Sequence, residues 1–296
     1  MEKITIFTPT FNRAYCLHQC YDSFVSQTNK DFLWLIIDDG STDNTKALVD
    51  SWIQENKIKI QYHYQENQGM HGGHNAAYRL IETELNVCID SDDFMPSNAV
   101  EIILKHWKTI ENKPEYAGLI GLDADKTGAI IGTKIPNTVK STTLYDVYNT
   151  HGVLGDKKLV YRTEVVKKYP PYPIFKGERF VPLGYLYQLI DQDYVLHPVN
   201  EVFCIVEYMA DGSSMNILKQ YRKHPKGFAF SRKSRMALAK NPKDKLKNTI
   251  HYISSAMFSK NWNFIKESPN KGLTLLAIPF GIALNLYIRY KTKSDF

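Results

Sequence analysis

The chain has 296 residues, of which 43% are hydrophobic and 23% are charged. This composition is typical of a folded globular protein and excludes a disordered or low-complexity chain. The formal net charge of +6 is mildly basic, and the excess lies mainly in the last third of the chain. An anionic membrane surface or an anionic substrate explains that excess, as does a solvated lysine-rich helix face, and we expect no nucleic-acid partner.

The first half of the chain alternates predicted strands and helices. The strands are predicted at 4–8, 32–37, 58–64 and 85–89, and the helices at 13–27, 44–55, 75–84 and 96–113. This alternation predicts an α/β fold with a mostly parallel, doubly wound sheet. We expect Asp43 to cap the helix 44–55 by accepting free amides of its first turn.

The second half of the chain is less regular. Short strands are predicted at 117–122 and 129–131, a helix at 181–189, and one or two strands within 194–207. From 216 onward the pattern predicts helices to the end of the chain. The four cysteines are scattered without a CxxC pair, and no signal-peptide pattern opens the chain, so we expect reduced thiols and a cytoplasmic location.

Polar segments follow three of the predicted strands at the points where the strands end. They are 8–13, 38–41 and 90–93. In doubly wound sheets ligands bind beyond the carboxyl ends of the strands, so the three segments together predict a binding site.

Two of these segments carry carboxylates in patterns that indicate chemistry. Asp90, Ser91 and Asp92 follow an apolar strand, and alternating carboxylates can bind a divalent cation and a ribose. A solvated acidic turn has the same residues, but the position after a buried strand favours function. Asp38 and Asp39 also end a strand, where like charges repel, and a carboxylate there can accept the imide proton of uracil.

In order and spacing these motifs resemble family 2 inverting glycosyltransferases. The segments that carry the resemblance are 8–13, 38–43, 67–75 and 90–93, and further segments at 70–75, 155–157, 161–164, 176–182 and 207–212 resemble a bacterial subgroup that builds capsules and other surface polysaccharides. The resemblance implies a GT-A fold, Rossmann-like, with a helical C-terminal extension. It divides the chain into a domain at 1–215, with a nucleotide-binding half at 1–95 and an acceptor-side half at 96–215, and an extension at 216–296.

The resemblance also implies roles for individual residues. Asp39 would meet the base, Asp90 and Ser91 would lie near the ribose, and Asp92 would bind Mn²⁺ or Mg²⁺ together with the diphosphate of a UDP-sugar donor. The residues implied to line the nucleotide pocket are Thr8, Pro9, Thr10, Arg13 and His74. His74 stands where many relatives carry an arginine, and its charge would depend on pH. A histidine at the start of a helix with no ligand explains this residue equally well.

The catalytic base is the weakest part of the resemblance. Inversion needs a carboxylate that takes the proton of the acceptor hydroxyl. The subgroup carries it just after the segment 180–182, where this chain has Leu183. Glu178 and Asp156 are the candidate substitutes, and a structural carboxylate explains either of them as well.

The C-terminal segment 273–288 predicts an apolar helix followed by basic residues. An interfacial helix on the inner face of the cell membrane has this pattern, and so does a helix packed on the protein core or on a dimer partner, so a homo-oligomer stays open.

The expected reaction is transfer of a hexose or N-acetylhexosamine from a UDP-sugar to a lipid-linked saccharide acceptor. Two other functions would need different residues. A nucleotidyltransferase would need glycines in 8–13, and a dehydrogenase would need GxGxxG after the first strand. A non-catalytic, glycosyltransferase-like partner subunit is favoured by Leu183.

Overall fold

The computed structural model describes residues 2–207 and 216–295. Contacts divide the chain into two compact units. The first comprises 1–171 and 189–208, and the second comprises 172–188 and 209–296. Segment 172–188, expected to belong to the N-terminal domain, therefore groups with the C-terminal helices. Part of the motif expected at 207–212 lies outside the described residues.

The first unit is built on a seven-stranded sheet, counted over the described residues. The strands are β1 (Ile4–Thr10), β2 (Phe32–Asp38), β3 (Ile60–Tyr64), β4 (Leu85–Cys88), β5 (Tyr116–Ala124), β6 (Lys157–Arg162) and β7 (Val195–Ile205). Their order is β3-β2-β1-β4-β6-β5-β7, and β6 runs antiparallel to both neighbours while the other pairs are parallel. The predicted mostly parallel sheet is confirmed, and β1 lies between β2 and β4.

The helices of this unit connect the strands. They are α1 (His18–Val25), α2 (Thr45–Glu55), α3 (Met70–Leu80), α4 (Ala99–Trp107), α5 (Leu144–Asn149) and α6 (Thr163–Val166), and α7 (Gly184–Asp193) extends across the division between the units. The helix predicted at 75–84 begins five residues earlier, at Met70, directly after Gly69 with its φ of 81°. The strand predicted at 129–131 is wrong, since a single bridge joins Ala124 to Ile130.

An aromatic core fixes β1 and β2 against the first two helices. The Tyr21 and Trp52 rings stack at 4.5 Å, and the Phe24 ring meets the edge of Trp34 at 5.0 Å. Each large side chain buried in this way contributes about 1.5–3 kcal/mol. The strand ends that carry the polar segments are therefore held on a rigid base.

The second unit is helical from 216 onward, as predicted. Its helices are α8 (Ile217–Lys223), α9 (Pro225–Leu238), α10 (Pro242–Phe258), α11 (Phe264–Glu267) and α12 (Lys271–Lys291), followed by a short 3₁₀ helix at Lys293–Asp295. On α12 the buried positions are mostly small or polar, and Gly281 is required because a Cβ there would lie 2.5 Å from Ile253. The Asn285 side chain donates to the Ser254 carbonyl at 3.1 Å.

The outer face of α12 carries large apolar side chains. Leu276 is 75% exposed and Phe280 is 62% exposed. With 21 residues and a mean hydropathy of 1.5, α12 is long and apolar enough to cross a membrane by length and composition alone. Its arrangement reverses the usual pattern, because its largest apolar residues face away from the protein.

Candidate functional site

The loops after β1 and β2 are joined by hydrogen bonds at the edge of the sheet. The Asn12 amide donates to the Ser41 hydroxyl at 2.8 Å, and the Asn12 side chain accepts the Thr42 amide at 2.7 Å. The Ala14 amide donates to Asp43 at 3.1 Å, and Asp43 also accepts the amide of Thr45 at the start of α2, which fits the predicted capping role. The predicted meeting of these two segments is confirmed.

The segment 8–10 at the end of β1 divides into core and site residues. Thr8 is fully buried, and its hydroxyl accepts the indole N–H of Trp34 at 3.0 Å, so its side chain belongs to the core. The Thr10 hydroxyl is also buried but has no hydrogen-bond partner in the described part of the chain. Pro9 packs against α3 at Gly73, where a Cβ would lie only 3.0 Å away. Of the three, Thr10 is the side chain left with an unmet bond for a ligand.

Asp38 and Asp39 have structural partners that the sequence did not reveal. Asp38 accepts the Ser41 amide at 2.7 Å and the Tyr62 hydroxyl at 2.6 Å. Asp39 accepts the amides of Gln68 at 2.9 Å and Gly69 at 2.7 Å, and so holds the loop that leads into α3. An interaction of Asp39 with a base would have to share these oxygens. These hydrogen-bond donors offset the repulsion between the Asp38 and Asp39 carboxylates, which had suggested a functional site.

Arg13 lies half-buried in the loop after β1. Its guanidinium bonds to the Tyr15 hydroxyl and lies 5.6 Å from the centre of that ring. Tyr15 is 55% exposed, so the pair borders solvent. Arg13 therefore supplies a positive charge beside the ends of the strands.

The prediction that His74 meets a donor phosphate needs correction. The ring is 1% exposed, and its two nitrogens face the Tyr78 hydroxyl at 3.1 Å and the Cys88 sulfur at 3.6 Å. Burial lowers the pKa of His74 to about 4, so the ring is neutral at pH 7. The sequence placed His74 near the start of the helix, but α3 begins at Met70, four residues before His74. The ring therefore faces inward, and its centre lies 5.0 Å from the centre of the Phe7 ring.

Residues 90–93 form a tight turn directly beyond β4. The Asp93 amide donates to the Asp90 carbonyl at 3.0 Å, and the Cys20 thiol donates to the Asp90 and Asp93 carbonyls at 3.3 and 3.0 Å. Ser91 is buried, whereas Asp90 and Asp92 are half-buried. The turn thus presents two carboxylates at the edge of the sheet next to the segment 8–13.

Asp93 belongs to a buried charge cluster that sequence reasoning missed. It accepts the Glu207 amide at 3.2 Å, and Lys158 of β6 lies 3.7 Å away. Burial raises the pKa of Asp93 to about 7, with Asp90 and Asp92 adding to the effect and Lys158 opposing it. Burial alone would lower the pKa of Lys158, but the surrounding thiol and carboxylates raise it well above its usual value.

A second acid of this cluster is Asp123, near the end of β5. It is 2% exposed, its Oδ1 has no hydrogen-bond partner among the described residues, and burial raises its pKa. An acid inside the apolar run 117–124 was the available signal, because a charged residue there is rarely buried without a partner.

The candidate bases lie in different settings. Glu178 accepts the amides of Lys226 at 3.0 Å and Gly227 at 2.9 Å, so both of its oxygens cap the start of α9. Asp156 is exposed in the loop before β6. Leu183 is half-buried, and its carbonyl accepts the Tyr172 hydroxyl at 2.9 Å.

The loop that carries Asp156 is held by one ammonium group. Lys157 Nζ donates to the carbonyl oxygens of Leu154 at 2.8 Å, Gly155 and Asp156 at 3.1 Å, and Ile131 at 3.3 Å. The Asp156 carboxylate is therefore positioned by its own backbone and not by a salt bridge to this lysine.

A divalent cation fits this site only together with a substrate. No group of three or more His, Cys, Asp or Glu side chains within 2–207 and 216–295 could hold a metal ion alone. Mg²⁺ is commonly bound by one or two carboxylates plus substrate phosphates. Asp90 and Asp92, with the unpartnered Thr10 hydroxyl nearby along the edge, supply a donor set of that kind.

Residues 5–126 match the family model described as glycosyl transferase family 2. The chain is 28% identical over 173 residues to an uncharacterised glycosyltransferase of Nostoc sp., covering 57% of this chain and 53% of that protein. It is 31% identical over 107 residues to a Campylobacter jejuni GalNAc(5)-diNAcBac-PP-undecaprenol beta-1,3-glucosyltransferase, covering 36% of this chain and 34% of that protein. The chain thus spans about half or less of the length of these curated relatives.

Solved structures share the fold. S. aureus TarS 1-349 in complex with UDP aligns over 100% of this chain and 92% of its own, with a TM-score of 0.59 and 14% identity. A mannosyltransferase from Pyrobaculum calidifontis in complex with GDP-Man and Mn²⁺ aligns over 99% and 83%, with a TM-score of 0.58 and 16% identity. At this identity the likeness concerns the fold, which is of the GT-A type with a helical C-terminal region.

Proposed function

Because residues 5–126 match the model of glycosyl transferase family 2, we propose that this chain is a metal-dependent, inverting glycosyltransferase. It moves a hexose or N-acetylhexosamine from a UDP-sugar to a lipid-linked glycan in bacterial surface polysaccharide synthesis. The observation that carries the proposal is the convergence of the ends of β1, β2 and β4, which brings Thr10, Asp39, Asp90 and Asp92 to one edge of the sheet.

Each residue of that edge has a defined task in the proposed reaction. Asp92 would hold Mn²⁺ or Mg²⁺, and the ion would supply positive charge to the leaving diphosphate. Asp90 and Ser91 lie at the ribose, and the Thr10 hydroxyl donates to the nucleotide. Asp39 orders the loop 67–69 beside the base through the amides it binds. Arg13 adds positive charge near the diphosphate.

The acceptor half of the reaction rests on weaker ground. Leu183 cannot take a proton, and both oxygens of Glu178 already accept backbone amides of α9. Asp156 is exposed and is the better candidate base in this chain. The second candidate function, a non-catalytic partner subunit that binds nucleotide or glycan, is favoured by the same observation at Leu183.

We also propose that α12 attaches the protein to the inner face of the cell membrane. Its outward apolar face and the basic residues Arg289, Lys291 and Lys293 at its end match an anionic lipid surface. A lipid-linked acceptor would lie at the same surface. The named acceptor of the C. jejuni relative, an undecaprenol-linked glycan, supports this choice.

The test is a screen of UDP-sugars for acceptor-dependent release of UDP in Mn²⁺. We expect one donor to be turned over, and Asp92→Asn to reduce the rate by about 100-fold or more. Asp22→Asn, an exposed aspartate of α1, is the matched control and should leave the rate unchanged. Donor binding without UDP release would instead support the non-catalytic subunit, and unchanged donor affinity in Asp92→Asn would contradict the metal assignment.

A further inference from the structure

Two arginines lie on one face of α9, one helical turn apart. Arg232 and Arg235 are both half-buried. Arg232 donates to Asn248 Oδ1 at 2.9 Å and to the Tyr221 hydroxyl at 3.3 Å, and both partners are neutral. Arg235 Nε is buried, and no described residue is its hydrogen-bond partner. Two positive charges therefore lie side by side in the helical unit.

No carboxylate among the described residues neutralises this pair. Within residues 2–207 and 216–295, neither guanidinium takes part in a salt bridge, and Arg235 has no hydrogen bond at all. Burial lowers the pKa of Arg235 to about 10, and the charge of Arg232 adds to the effect. Lys247 on α10 adds a further positive charge, and His251 stays neutral because burial lowers its pKa to about 4.

An arrangement of this kind is costly without a ligand. Buried charges in proteins are ordinarily paired or hydrogen-bonded, because removing a charge from water is unfavourable. The guanidinium group is planar, and its fork of N–H donors matches the oxygens of phosphate and carboxylate groups. A bound anion would neutralise the buried charges and accept hydrogen bonds from the guanidinium groups.

The Arg235 guanidinium lies close to position 183, where the family resemblance implies a carboxylate that this chain lacks. A Cβ added to Gly184 would come within 2.7 Å of Arg235 Nη2, so the guanidinium lies against the backbone at the start of α7. Gly184 directly follows Leu183, the position where the family resemblance implies a carboxylate. In this chain nothing at 183 can neutralise Arg235.

We propose that Arg232 and Arg235 form a binding site for a phosphate or carboxylate group carried by a ligand of the helical unit. The site is built from other residues than the edge of the sheet assigned above to the donor, and it does not depend on whether sugar transfer occurs. An acceptor bearing phosphate, or a lipid headgroup, supplies the same chemistry.

The experiment measures the melting temperature of the full chain with inorganic phosphate, at an ionic strength held constant with NaCl. We expect a rise of a few degrees in the wild type at saturating phosphate, and loss of that rise in Arg235→Gln. Lys226→Gln is the control on the same helix, since Lys226 is exposed on another face of α9. It should keep the rise.

Several outcomes contradict the proposal. They are a wild type that does not respond to phosphate, an Arg235→Gln protein that responds as the wild type does, and an Arg235→Gln protein that melts below the wild type without phosphate. The last result would mean that the Arg235 guanidinium stabilises the fold without a bound anion. Phosphate bound at the donor edge would persist in Arg235→Gln, so the difference between the proteins isolates the arginine site.

A second arm identifies the source of the anion. Co-sedimentation with phosphatidylcholine vesicles, with and without phosphatidylglycerol, is compared for the wild type and Arg235→Gln. If the phosphatidylglycerol-dependent binding falls in the variant, the site takes a lipid headgroup. If it is equal in the two proteins while the phosphate response is lost, the site takes a phosphate or carboxylate that is not part of a membrane surface.

Discussion

The acidic groups of the first unit and the basic groups of the second are both withdrawn from water, but they are neutralised very differently. Asp38 accepts the Ser41 amide of its own loop and the hydroxyl of Tyr62 on β3, and Asp39 accepts two amides of the loop before α3. Arg235 receives no partner in the described residues. The difference shows that loops at a sheet edge offer free backbone amides to a carboxylate, whereas the backbone carbonyls inside a helix are already paired and offer a guanidinium no acceptor.

The largest expected effect comes from placing a carboxylate at position 183, where the family resemblance implies one. We expect Leu183→Glu to raise the rate of UDP release, because it places a carboxylate at the position that the family resemblance implies. The upper limit is about 100-fold to 10,000-fold, the whole contribution of a general base, and the gain is smaller to the extent that Asp156 already acts as one. It should also remove the phosphate-dependent rise in melting temperature, because the new carboxylate can pair with Arg235. Leu183→Gln is the neutral control of the same size. Equal rates for the two variants would mean that position 183 does not carry the base.

A smaller effect tests a feature that the two units share, a buried neutral histidine. The pKa of His74 falls from its ordinary value of 6.5 to about 4 because of burial. The stability contributed by the neutral ring is therefore full above pH 6.5 and is lost as the pH falls through 4. In the wild type, protonation of His74 should account for about 3 kcal/mol of the fall in unfolding free energy between pH 7 and pH 4. We expect this part of the fall to be absent in His74→Gln.

Urea unfolding at the two pH values measures this change, with the exposed His18→Gln as the control. An equal acid loss in His74→Gln and the wild type would show that folding does not lower the pKa of this ring. His251 in the second unit has its pKa lowered to about 4 as well, so part of the acid loss should remain in the variant.

The smallest expected effect concerns the outer face of α12. We expect Leu276→Ser combined with Phe280→Ser to weaken binding to phosphatidylglycerol-containing vesicles by at least about tenfold, since each side chain loses apolar burial in the bilayer. Ile53→Ser, at a 42% exposed apolar position on α2, should change nothing. Deleting the helix is a poorer test because α12 packs on α10 through Gly281 and Asn285. Unaltered vesicle binding would exclude this face as the membrane contact.

Much of the fold and the donor edge could be predicted because their determinants are local. A polar segment directly after an apolar strand, as at Asp90 and Asp92, places its side chains at a sheet edge whatever the rest of the chain does. Pairings across long stretches could not be predicted. Asp93 meets Lys158, and Glu178 caps a helix that begins 47 residues later. His74 failed for a different reason, because the helix boundary decides which way the ring points.

The Lys157 ammonium group occupies a cage of main-chain oxygens, much as an alkali ion does in an ionophore. Carbonyls from both sides of the loop, Ile131 on one and Leu154 to Asp156 on the other, converge on it. Since this cation is covalently part of the chain, a chelator that removes the divalent ion proposed for the donor edge would leave the loop folded. Acylation of Lys157 would open it.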